Sequence, residues 1–229
     1  MLDTTYDAFR LLFGGDSQLW GIVAVSLRVS LTALAIAAPL AVAAGYGLAV
    51  GRFSGRRALI VALQALLSFP TVVVGLVLYL VLSRRGPLGA GQLLFTPEAM
   101  IMGQIVIALP VLAAFTLAAV QGADPRIRDT ALSLGAGPAR AACTLLYETR
   151  FAIFGGVCQG FGRVISEVGC ALMVGGNIAG STRTITTAIA LETAKGDFAQ
   201  GIALGFVLLV LAFGVNIALA VLQGRGGEP

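Results

Sequence analysis

Two arginines stand out in the second half of this sequence. Arg163 is followed four positions later by Glu167, and Arg183 comes shortly after Asn177, Ser181 and Thr182. Cationic, amide and hydroxyl donors of this kind could hold or pass an anion. A short helix capped by Ser181 or Thr182 and running toward Lys195 would add backbone N–H groups that favour negative charge. The four-residue spacing puts Arg163 and Glu167 on one helix face, where they can pair. The pair has two readings: a tempered charge beside a path, or a lock between helices. Arg183 likewise faces a path, solvent or another protein, and Thr182 donates to a ligand or only caps.

A second polar cluster fills residues 124–150, with Arg126, Arg128, Asp129, Arg140, Glu148 and Arg150 around Gly135-Ala136-Gly137-Pro138. Asp124 before Pro125 predicts a helix start, since the carboxylate caps free N–H groups and proline suits the first helical position. The small residues predict a tight turn, and Pro138 opens the next helix. This helix–turn–helix lies outside the bilayer and has the form of a knob for a partner's groove. The plainer alternative is an amphipathic loop with a glycine turn.

The rest of the chain excludes most catalytic chemistry. Histidine is absent, and the one lysine, Lys195, precedes Gly196 rather than Ser or Thr. No P-loop of the Gly-Lys-Ser/Thr type is therefore possible, and any ATP that drives the protein is bound by another subunit. Cys143, Cys158 and Cys170 have no close pairing and read as small packing residues. No catalytic residue, metal site or cofactor is expected. The sequence is 58% hydrophobic and only 11% charged over 229 residues, with a mean hydropathy of +0.94. Soluble domains carry about 25% charged residues, so this is an integral membrane protein. Its +4 charge bears on orientation and not on nucleic acid.

Five apolar segments must position these clusters. Residues 1–19 do not read as a signal peptide. Tyr6, Phe9, Leu12 and Phe13 at helical spacing predict a short interfacial helix ending at Gly14-Gly15. The spans are 20–50, 58–82, 99–120, 151–174 and 198–222. The first exceeds the roughly 30 Å hydrocarbon core at about 1.5 Å per residue and must tilt, kink at Pro39 or project. Arg28 snorkels or faces a pore. Pro70 and Pro110 sit near the centres of the second and third spans. Gly156-x-x-x-Gly160 and Gly201-x-x-x-Gly205 permit close helix approach, and Asn216 is an isolated polar residue in the fifth span. The tail 223–229 reads as frayed, with no further domain expected.

With the N-terminus outside, Arg52, Arg56, Arg57, Arg126, Arg128, Arg140, Arg150 and Arg225 fall on the cytoplasmic side. Arg10, Arg84, Arg85, Arg183 and Lys195 fall outside. The positive-inside rule favours this orientation, against the vote of Arg84-Arg85. It places residues 124–150 in the cytoplasm, where ATP is.

Asp129-Thr130-Ala131 followed by Gly135-Ala136 resembles the EAA loop of ABC importer permeases, a pattern of the type E-A-A-x-x-x-G-A. Asp129 stands where glutamate is usual. Tyr147-Glu148-Thr149-Arg150 replaces the proline that commonly closes the longer motif. The second half is similar to oxyanion permeases through Arg163-x-x-x-Glu167-x-Gly169, Gly175-Gly176-Asn177-Ile178 and Thr182-Arg183-Thr184-Ile185. Val174 to Ile178, together with Ala188 to Phe198, is closest to the tungstate permeases. The resemblance implies an all-α type I ABC importer permease fold, one permease domain over 1–229, in the inner membrane. It implies a homodimer with its path on the two-fold axis, a cytoplasmic ABC ATPase dimer and an extracytoplasmic oxyanion-binding protein. It assigns coupling to Arg126, Arg128, Asp129, Ala131, Gly135, Ala136, Gly137 and Arg140, and the translocation path to Arg163, Glu167, Asn177, Thr182 and Arg183.

Molybdate, sulfate or another oxyanion is the alternative within this class. A stand-alone secondary transporter or channel would need ionisable residues in several spans; here Glu167 is the clear mid-span carboxylate. A structural scaffold would have no use for the exposed segment at 124–150.

Overall fold

The computed structural model describes Tyr6 and residues 10–224, with side chains to Val221. Phe9 of the N-terminal amphipathic pattern, Arg225 of the charge count and the end of the tail lie outside the described residues. The chain is helical, with no strand among the described residues. We label the helices α1 (Ser17–Val50), α2 (Arg56–Leu67), α3 (Thr71–Leu82), α4 (Pro97–Gly122), α5 (Pro125–Ser133) and α6 (Pro138–Glu148). They continue as α7 (Arg150–Ile165), α8 (Gly169–Gly175), α9 (Ile185–Lys195) and α10 (Phe198–Gly224). A helical turn over 10–13 ends at Gly14 and Gly15, as the sequence predicts.

By length and composition α1, α4 and α10 can each cross a membrane. The second and fourth expected spans are not continuous. The α2–α3 pair bends by 98° and the α7–α8 pair by 59°. Five crossings result if each bent pair is one span. The first break follows from Pro70, which disfavours helix at Phe69 and stands at the N-cap of α3 rather than inside a helix. The second break begins at Ser166, whose hydroxyl donates back to Gly162 O at 2.7 Å and Arg163 O at 3.2 Å. Pro39 and Pro110, by contrast, lie inside uninterrupted helices.

The helices close on three apolar clusters. α1 and α4 meet α7 around Leu34, Leu112 and Phe161. The N-terminal third of α1 packs on α9 and α10 through Leu19, Ile22, Ile185 and Leu204. α8 sits against α4 through Val174, Cys170 and Met100. Close approach is literal at Gly156, where an added Cβ would stand 2.5 Å from Phe115 Cβ. In the second small-residue pair, Gly201 of α10 faces Thr193 of α9, where an added Cβ would stand 3.6 Å from the hydroxyl, while Gly205 meets nothing within 4 Å. Arg56 closes the C-terminal end of α1, donating from Nε to Leu48 O at 2.6 Å and from Nη2 to Ala49 O at 3.2 Å. A cation at a helix C-terminus satisfies free carbonyls and opposes the helix dipole.

Candidate coupling and transport sites

The segment over residues 124–150 forms as the residues dictate. Asp124 accepts from Arg126 N at 2.9 Å and caps α5, with Pro125 at its first position. Gly135 takes φ +84°, a left-handed conformation that glycine adopts without penalty. Gly135 N donates to Leu132 O and Ala136 N to Ala131 O, both at 3.0 Å. These two bonds make a Schellman stop. Gly137 then caps α6, and Pro138 opens it. α5 buries none of its residues, and α6 buries only Ala141 and Leu145.

Between the two helices lies a groove of about 530 Å³ lined by Arg126, Ile127, Thr130, Ala131, Leu134, Ala136, Thr144 and Glu148. Arg128, Asp129 and Arg140 are exposed around it. Leu134, at the tip, is 83% exposed; its position directly before the turn glycine was a signal the motif reading passed over. Arg150 does not join this surface. Its guanidinium stacks 4.0 Å from the Tyr147 ring centre and 4.5 Å from that of Phe151, and Nη1 donates to Tyr147 O at 2.7 Å. It pins the junction where the longer motif carries proline.

In the membrane part, the expected pairing of Arg163 with Glu167 is not made. α7 ends at Ile165, so the four-residue rule no longer applies at Glu167. Glu167 is buried, and its Oε1 accepts from Cys170 N at 2.9 Å, at the start of α8. Arg163 stays exposed on the last turn of α7, unpaired with any carboxylate among the described residues. It opens into a small cavity of about 40 Å³ between the α2–α3 break and α4, beside Phe69, Thr71 and Pro110.

The 176–184 loop is held from within. Thr182 is fully buried; its hydroxyl donates to Gly175 O at 2.5 Å and accepts from Ile178 N at 3.0 Å. It therefore does not cap α9. Thr184 does, with its N–H donating to Thr187 Oγ1 at 2.9 Å. Asn177 has φ +52° and donates from Nδ2 to Thr187 O at 3.3 Å. Ser26 of α1 accepts from Ile185 N at 2.7 Å, and Thr186 donates to Glu167 O at 2.7 Å. The start of α9 is thereby tied both to α1 and to the broken span. Ser26 went unnoticed in sequence because a single hydroxyl in an apolar run carries no pattern; Thr184 entered only as part of the Thr182-Arg183-Thr184-Ile185 resemblance, and Thr186 not at all. Arg183 lies in a different cavity from Arg163, against the N-terminal third of α1. The two arginines are not brought together within one chain.

No family model matches the chain. Its fold is that of the methionine ABC transporter MetNI in an inward-facing conformation, with a TM-score of 0.71 over 96% of this chain and 98% of that chain at 15% identity. By sequence it is 46% identical over 214 residues to a "probable anion ABC transporter permease protein" of Haloferax volcanii, covering 91% of this chain and 92% of that protein. It is 40% identical over 216 residues to the tungstate uptake system permease protein TupB of Peptoclostridium acidaminophilum, covering 94% and 95%. The fold and the projecting segment thus define an ABC importer permease, a transport subunit rather than an enzyme. The chain belongs to the family of ABC transporter permeases that includes TupB.

Proposed function

We propose that this chain forms the translocation path of an ATP-driven tungstate importer. The observation that carries this reading is the projecting α5–Schellman–α6 unit with its open groove, in a chain that is 40% identical to a tungstate permease and has no nucleotide site of P-loop type. The groove and its Arg126, Arg128, Asp129 and Arg140 rim dock a cytoplasmic ABC ATPase, with Ala131, Gly135, Ala136 and Gly137 allowing close approach. The chain works as one permease domain in a homodimer, with the N-terminus outside, and an extracytoplasmic binding protein delivers the anion. The exposed apolar residues of α3, including Val72, Leu76 and Leu80, suit a membrane or a second copy.

Arg163 supplies positive potential on the path. A charge within a span normally faces protein interior or a watery cavity, and among the described residues this one has no carboxylate to neutralise it. One unpaired cation attracts a dianion without trapping it, as passage requires. Glu167, Asn177 and Thr182 shape the path by fixing backbone. The chain itself binds no cofactor; ATP is used by the partner.

The test is uptake by the reconstituted complex with inward-facing ATP sites. Tungstate uptake should require ATP and resist a tenfold excess of molybdate or sulfate. ATP-independent uptake would overturn the importer reading, and preferred uptake of molybdate would overturn the substrate.

A further inference from the structure

We infer that the cleft between the start of α1 and the 176–184 loop binds a tetrahedral oxyanion group, at a site separate from the Arg163 cavity. The cleft holds about 160 Å³. Arg183 lines it, and among the described residues no carboxylate pairs with the guanidinium. Its Nη2 makes one long bond, to Asn177 O at 3.4 Å, and its Nε is buried without a partner. A buried, unpaired guanidinium N–H is costly unless an acceptor meets it.

Further donors surround the cleft. Ser17 and Gln18 line it from the first turn of α1, and Ala179 and Gly180 line it from the loop. The backbone N–H groups of Ala179 and Gly180 make no hydrogen bond within the described residues. The loop is rigid enough to present them, since the N–H groups of Ser181, Thr182 and Arg183 all converge on Ile178 O at 3.0–3.2 Å. The carboxylate nearest in sequence, Asp16, is occupied in capping α1 through Leu19 N and borders a different cleft, with Arg10. Planar guanidinium donors beside backbone N–H groups match the oxygens of a tetrahedral oxyanion. The remaining wall is apolar, from α1. The group therefore comes either as the phosphate of a membrane lipid or as a free dianion. The inference does not rest on the role given to Arg163.

The purified transporter complex in mild detergent tests this as wild type, Arg183→Gln and Gly21→Leu. An added Cβ at Gly21 meets nothing within 4 Å, so leucine there narrows the cleft from α1 without touching the guanidinium. Native mass spectrometry measures binding of added phosphatidylglycerol, and equilibrium dialysis measures binding of inorganic tungstate. Both variants should weaken one of the two ligands by about tenfold or more, as expected for losing a charge-assisted contact. Weaker lipid binding identifies a headgroup site; weaker tungstate binding identifies a free-anion site. If both ligands bind both variants as they bind wild type, the inference is wrong. Should Arg183→Gln fail to assemble, Gly21→Leu alone decides.

Discussion

Glu167 and Arg163 show how a single residue's role depends on where its helix stops. On a continuous helix the two would neutralise each other. The helix ends at Ser166, whose hydroxyl donates back to Gly162 O and Arg163 O. Glu167 becomes the acceptor for Cys170 N, and Arg163 is left without a carboxylate partner among the described residues. Two expectations separate these jobs. Arg163→Ala should lower ATP-dependent uptake at least tenfold while leaving dimer and ATPase recovery unchanged, with Arg163→Lys restoring part of the rate. Loss of the dimer instead would make Arg163 structural. Glu167→Ala should destabilise the permease by about 1–2 kcal/mol, the usual value of a lost capping acceptor, while Glu167→Gln keeps an acceptor oxygen and most of the stability. Thermal unfolding in detergent reads the difference, and equal melting of the two variants would remove the capping role.

At the scale of elements, what was legible in sequence was local. Asp124-Pro125 and Gly135-Ala136-Gly137-Pro138 carry their own backbone preferences, so both helices of the 124–150 segment and the turn between them appear where the residues predict. The interiors of the bent spans were not legible. Pro70 is a breaker by its own chemistry, yet proline is tolerated inside many membrane helices, as Pro39 and Pro110 are here. Whether it breaks a span depends on neighbours that satisfy the freed groups. The break at Ser166–Val168 is stabilised by Thr186 reaching Glu167 O from nineteen residues away, and no local pattern encodes that contact. The separation of Arg163 from Arg183 is likewise tertiary. Helix packing gives a sharper expectation. Gly156→Leu would drive a side chain into Phe115, where even a Cβ stands 2.5 Å from Phe115 Cβ. It should cost about 1–3 kcal/mol or more and lower the yield of folded protein. Unchanged melting would mean that α4 and α7 do not pack as described.

For the whole molecule, orientation follows from placing α5 and α6 beside the ATPase. Cys143 on α6 is exposed, whereas Cys158 and Cys170 are buried, so the native sequence carries its own reporter. In membranes stripped of ATPase, a membrane-impermeant maleimide should modify Cys143 in inside-out vesicles and not in right-side-out ones. The reverse would invert the topology. The central claim is that this chain couples to a separate ATPase through the α5–α6 turn. Affinity purification of the tagged chain from gently solubilised native membranes, as wild type and Gly135→Asp, tests it most directly. Aspartate at φ +84° costs about 1–2 kcal/mol of local strain and adds charge at the docking turn, in a place where a Cβ meets no other atom of this chain. The account predicts an ABC ATPase recovered with the wild type and lost with Gly135→Asp, while both forms remain folded and inserted. Recovery of the wild-type chain without an ATPase, or equal ATPase recovery and normal ATP-dependent uptake with Gly135→Asp, would contradict it.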